Sequence, residues 1–282
     1  MNRFGLALGD PDLYASCILT SVVESAWDPE QYQRFAAQRR RPFDDLLARL
    51  TPIPGGTAVD LGCGPGPLTL DLHRHLAAAH TIGLDDSRAM LDRAEAMLAE
   101  ADPADGAGLR FEWGHLQDWS PEAPVDVIFA NASLQWAPDH PRLLARLAAS
   151  LAGRGQLAFQ VPANHDHPSH QVADQLGREL GLEVTGGAAN VLAPEVYATL
   201  LHDRGLDDVD VRLQVYGFEL ARAADLVEWT KGTLLTGYRA QLEPAAYDDF
   251  VERYRRRLAD VVGDRAPYYY AFKRILAWAR RR

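Results

Sequence analysis

The chain has 282 residues, 47% of them hydrophobic, enough apolar material for one large core with an attached cap. Its formal charge of −10 works against nucleic acid and anionic membranes, because both are polyanions that need a basic surface, and leaves small molecules as the expected partners. Two cysteines, Cys17 and Cys63, supply neither a disulfide framework nor a metal-binding spacing, so a reducing cytoplasm and no metal are expected.

Residues 1–26 read as an N-terminal tail. Their apolar run at 17–23 lacks a basic leader and a cleavage site, so no signal peptide is expected. No stretch approaches the roughly 20 apolar residues of a membrane-spanning helix. A helix is expected from Asp28, with Tyr32, Phe35 and Ala36 at helical spacing, ending near Arg40 because Pro42 disfavours helical geometry at Arg41. A second helix over 42–50 then places Phe43, Leu46, Leu47 and Leu50 on one face.

From Thr57 onward, short apolar runs alternate with helical patterns. Strands are expected at 57–61, 81–85, 109–113, 125–130 and 156–161, with helices at 68–78, 87–101 and 141–151 between them. Crossovers of this length are right-handed and make a parallel sheet with helices on both faces. Beyond Pro162 the pattern gives helices at 168–180 and 194–204, a strand at 209–220, helices at 224–235 and 244–262, and a last strand at 268–278. The expected architecture is α/β: a doubly wound, mainly parallel, seven-stranded sheet with a helical cap.

The first strand runs into VDLGCGPG, Val59 to Gly66. In a doubly wound sheet, ligands gather at the carboxyl ends of the strands, where this loop lies. A phosphate loop needs a lysine after the glycines, and none follows; a dinucleotide fingerprint needs glycine at position 67, which is Pro67. A tight strand-to-helix turn remains the plain alternative. Cys63 reads as a small filler.

With Gly62, Gly64 and Gly66 preceded by Asp60, the chain resembles the class I methyltransferases that use S-adenosylmethionine. The resemblance implies a Rossmann-like core over 57–220, with N-terminal helices over 27–56 covering the cofactor site, a helical lid over 221–267 and the last core strand within 268–282. It implies that the glycines admit the methionine part of the donor and that Asp60 helps position its amine. Asp85, ending the second strand, is suited to a ribose diol, since one carboxylate accepts two hydrogen bonds. The acid that commonly meets adenine after the third strand is replaced here by His115, which leaves backbone groups around Leu116 for that contact. Asn131, ending the fourth strand, faces the same cleft, and Arg41 is assigned to it as well.

A closer resemblance is carried by Tyr32-Gln33-Arg34-Phe35, Arg39, Arg41-Pro42, the glycine motif and IFANASLQWAPDH from Ile128 to His140. These residues look like the trans-aconitate 2-methyltransferase family, whose members methylate a carboxylate of a small tricarboxylic acid. Asn164, Pro168, His170, Trp229, Phe272 and Arg274 add matches, while Thr236-Gly237 stands where the family has Arg-Pro. The resemblance implies an acceptor pocket from Tyr32, Trp136, Lys231, Tyr238, Tyr268 and Arg274, altered at Thr236-Gly237. A carboxylate acceptor is already ionised and needs no base. Trp136 as a wall and His170 are the candidate catalytic residues. A hydroxyl or carbon acceptor would turn attention to His170 or His115 as base. Methylation of a different small molecule at O, N or C, and a non-catalytic nucleoside-binding module, are the alternatives. The histidines within 164–170 read as a loop, as a substrate contact or, least of all, as a metal site.

Overall fold

A computed structural model of the chain describes residues 36–183 and 188–282. The tail, the helix start at Asp28 and Tyr32 lie outside the described residues. Seven strands form one sheet: β1 (Thr57–Leu61), β2 (His80–Asp85), β3 (Leu109–Trp113), β4 (Val125–Asn131), β5 (Leu151–Pro162), β6 (Leu206–Leu220) and β7 (Tyr268–Arg281). Their order is β3-β2-β1-β4-β5-β7-β6. The first five pair in parallel, and β7 enters antiparallel between β5 and β6. The sheet is therefore doubly wound and mainly parallel, as expected from the alternating pattern.

Helices cover both faces because the strands alternate. In β5, Ala158 faces one core, whereas Leu157, Phe159 and Val161 face the other. The first face lies under α1 (Ala36–Leu47), α2 (Pro67–Leu76) and α5 (Pro168–Glu179), and the second under α4 (His140–Ala149) and α6 (Pro194–Asp203). Helix α3 (Arg88–Glu100) packs beside β2 and β3.

Strand β5 ends at Pro162, opposite Arg274 of β7. Residues 268–273 continue past that point, paired with β6 alone. Tyr268, Tyr270 and Phe272 share the first face there, and Tyr269 turns outward, as the period of two requires. The segment between β6 and β7 folds against these rings as α7 (Leu226–Lys231), α8 (Thr236–Arg239) and α9 (Pro244–Val262). Trp229 of α7 lies 5.5 Å from Tyr270 and 5.4 Å from Phe272, ring to ring.

Three local expectations are corrected. The helix does not break at Pro42: α1 runs through it to Leu47. Proline removes one backbone donor and crowds the preceding turn, but full burial of Phe43 and Leu46 outweighs this, with Phe43 edge-on to Phe129 at 5.7 Å. Strand β5 begins at Leu151 rather than 156, because Leu151 already pairs with Val125 ahead of a register shift. The helix expected at 224–235 is divided at Gly232. The hydroxyls of Thr230, Thr233 and Thr236 bond back to the carbonyls of Val227, Trp229 and Thr233, a habit that competes with helical regularity.

Candidate functional site

The three motif glycines serve different purposes. Gly62 has φ +78°, and a side chain there would collide with Ser133, whose hydroxyl bonds the Leu61 carbonyl. Gly66 caps α2 at φ +92°, and a Cβ would lie 2.7 Å from Met97 and 2.8 Å from Phe111. Only Gly64, at φ +57°, faces open space, so close approach of a ligand falls to it. The loop is pinned to β2, because Gly62 and Cys63 donate to the Leu84 carbonyl and Gly64 donates to Asp85 Oδ2 at 2.9 Å. The other Asp85 oxygen accepts from Ser87 N–H at 2.9 Å. Burial raises the Asp85 carboxyl above its ordinary range, and these two N–H groups oppose the rise. Cys63 is buried with its thiol pushed up by desolvation, then by Asp60 and Asp85, so it is unreactive filler.

Asp60 sits one strand away on the first face, almost wholly buried. Its Oδ2 accepts from the Thr69 hydroxyl at 2.7 Å, while its Oδ1 is buried without a hydrogen bond among the described residues. Burial pushes this carboxyl up to about 7; the Thr69 bond lowers it and Asp85 adds to the rise. An orphaned carboxylate oxygen beside an open glycine and a second acid suits a ligand bearing a cationic amine and hydroxyls.

After β3, His115 is half-exposed, its Nδ1 3.3 Å from Asp86 Oδ2, and its ring meets Trp113 edge-on at 5.1 Å. The Leu116 carbonyl accepts from Arg146 Nη2 at 3.2 Å. Asn131 ends β4 on the same face as Asp60 and accepts from Gln160 Nε2 at 2.8 Å. Trp136 follows in a short 3-10 turn, Leu134–Trp136, and is 52% exposed. That turn is braced from below, where His140 donates through Nε2 to the Leu134 carbonyl at 2.8 Å and pairs through Nδ1 with the Tyr197 hydroxyl at 2.6 Å.

A cationic and aromatic cluster stands at the far side of the same face. Tyr216 and Phe272 stack at 5.4 Å; Arg41 lies 5.5 Å from the Tyr216 ring and Arg274 5.6 Å from the Phe272 ring. Arg41 also donates to the Gly217 carbonyl at 3.2 Å. His170 belongs to this neighbourhood: burial lowers its pKa to about 3, with His167 and Arg274 adding to the fall. It is neutral at physiological pH and too weak a base to hold a proton there.

Three residues expected to meet the acceptor are engaged in ion pairing or packing. Lys231 pairs with Glu228 at 3.1 Å in a pocket of about 450 Å³ lined by Arg239, Tyr247 and Asp248, away from the glycine loop. Tyr238 is fully buried between α5 and α9, stacked on Phe250 at 4.8 Å, with its hydroxyl donating to Asp174 at 3.0 Å. Tyr268 is 8% exposed and packed into the first core. In the histidine segment, His167 caps α5 through Ser169 N–H, Asp166 accepts from Lys273, and no metal-holding group of three side chains occurs among the described residues. Thr69 and Gln160 carry structure at the site that sequence reasoning missed. Gln160 offered one signal, a polar residue within the apolar run 157–161.

Residues 35–211 match the family model of a methyltransferase domain. The chain is 42% identical to a trans-aconitate 2-methyltransferase of Deinococcus radiodurans over 264 residues, covering 90% of this chain and 98% of that relative. It is 38% identical to the enzyme of the same name from Klebsiella pneumoniae, covering 83% of this chain and 88% of the other. Among solved structures, the YcgJ protein of Bacillus subtilis superposes with a TM-score of 0.60 at 14% identity, over 86% of this chain and 99% of that one. A phosphoethanolamine N-methyltransferase of Haemonchus contortus, solved with S-adenosyl-L-methionine, gives 0.54 at 16% identity over 93% of this chain and 60% of that one. No helix among the described residues is long and apolar enough to cross a membrane.

Proposed function

We propose, from the premise that the chain belongs to the trans-aconitate 2-methyltransferase family of S-adenosylmethionine-dependent methyltransferases, that it esterifies one carboxylate of a small polycarboxylic acid such as trans-aconitate. The observation that carries the acceptor class is the pair of guanidiniums, Arg41 and Arg274, resting on the stacked Tyr216 and Phe272 on the sheet face that also bears Asp60 and Asn131. Guanidinium pairs with carboxylate through charge-assisted, directional hydrogen bonds.

In this reading Asp60 Oδ1 takes the amine of the donor, Asp85 its ribose hydroxyls, Gly64 admits the chain between them, and the Leu116 N–H meets the adenine edge. When bound, the donor supplies an electrophilic methyl on a sulfonium. The protein's part is orientation: Arg41 and Arg274 hold the acid, Asn131 and Trp136 line the space where its reacting oxygen waits, and the helical segment 221–267 excludes water as a cover. No base is required, which accords with a His170 kept neutral and weakly basic. With only two cysteines in the chain, the reaction belongs in a reducing cytoplasm.

The test is release of S-adenosylhomocysteine with a panel of di- and tricarboxylic acids and their amides. Turnover is expected with acids alone; equal turnover with the amides contradicts the reading.

A further inference from the structure

Thr69 lies in the first turn of α2 with no exposure. A buried hydroxyl must place its proton on an acceptor, and Thr69 places it on Asp60 Oδ2 at 2.7 Å. That bond fixes the carboxyl plane and leaves Oδ1 as an acceptor with no hydrogen bond among the described residues. The charged and titratable groups acting on Asp60 are Asp85 from β2 and the Cys63 thiol from the glycine loop. Neither is a cation. Ionised Asp60 therefore lacks a counter-charge until a ligand brings one, and a buried unpaired carboxylate is unfavourable.

We propose that Thr69 is a positioning residue for the methyl donor: it holds Asp60 so that Oδ1 meets the donor's cationic amine, and donor binding drives one proton from Asp60 to solvent. The proposal rests on the assignment of Asp60 to the amine made above. The exchange balances: the carboxyl O–H breaks, its proton leaves to buffer, and the carboxylate accepts an N–H from an ammonium that keeps its own protons. Burial, which holds the Asp60 carboxyl near neutrality, makes this exchange measurable in an ordinary pH range, and the Thr69 bond favours the ionised form. Below the midpoint the competent fraction falls about tenfold per pH unit, and the apparent affinity falls with it.

Calorimetric titration with S-adenosylhomocysteine, which carries the same amine and does not react, tests this between about pH 5.5 and 7.5 in two buffers of different ionisation heat. The wild type is expected to release close to one proton per ligand at the acid end, with affinity falling about tenfold per unit there. Thr69→Val should move the midpoint upward and weaken binding at neutral pH about fivefold, the worth of a buried hydrogen bond; Thr69→Ser should restore both. A Thr69→Val protein with the wild-type midpoint, or a wild type that releases no proton, overturns the proposal. Asp60→Asn separates the two layers. It should bind weakly with no proton release, whereas unchanged affinity would overturn the assignment of Asp60 itself.

Discussion

The Gly64 N–H donates to Asp85 Oδ2 at 2.9 Å, joining the glycine loop after β1 to the acid that ends β2. The residue with the open approach and the residue suited to a diol are thereby held at one spacing. Asp85→Asn should weaken S-adenosylhomocysteine binding by about tenfold to a hundredfold, since it removes a charge-assisted acceptor from both loop and ribose. Calorimetry at neutral pH checks this. Unchanged affinity would remove Asp85 from the site.

Gly62 and Gly64 separate stability from binding. Gly62→Ala adds positive-φ strain and a collision with Ser133, so a loss of about 2 kcal/mol or more in urea unfolding is expected. Gly64→Ala meets nothing within 4 Å, so it should lose only about 1 kcal/mol while donor affinity drops sharply. If both variants lose stability equally and bind normally, the loop does not approach a ligand.

Asp60 makes the ligand-free protein sensitive to alkali. Its folded pKa of about 7 lies above the reference 3.8. The folded state therefore binds the proton more tightly, and the stability this confers, on the order of 4 kcal/mol, is present at acid pH and lost as pH rises through about 7. Asp60→Asn lacks this term. Without ligand it should be more resistant to urea than the wild type at about pH 8, with the advantage shrinking as pH falls below about 7 and gone only near about pH 4, the unfolded value. A variant that is weaker at the alkaline end would contradict the burial argument.

Arginine and packing residues should divide in kinetics. Arg274→Gln is expected to raise KM for the acid by about tenfold or more without changing donor affinity. Lys231→Ala should leave both unchanged, because Lys231 faces Glu228 in an outer pocket. Tyr238→Phe should reduce stability by about 1 kcal/mol through the lost bond to Asp174, with kcat/KM intact. A KM effect at Tyr238 would return it to the acceptor pocket.

The sheet was legible because buried parallel strands appear as short apolar runs with helix-length spacers, and because Asp60, the glycines and Asp85 fall at strand ends where ligands gather. Pro42 misled because a local rule about backbone met tertiary packing of Phe43 on Phe129, which no window of sequence contains. The ion pair of Lys231 was legible, since Glu228 lies three residues earlier on the same helix face. Thr69 was not legible, since a threonine in a helix's first turn is unremarkable until burial and a neighbouring strand place it against Asp60. Gln160 could be noticed as a polar residue among apolar ones, but not its partner Asn131, which comes from another strand.

In the proposed reaction the methyl group ends on a carboxylate oxygen. Labelled donor incubated with the protein and the most active acid from the panel gives a product whose lability to mild base decides the bond formed. The account predicts a methyl ester, with label released as volatile methanol. Label that stays on the product after base treatment, as an N- or C-methyl group does, would contradict it.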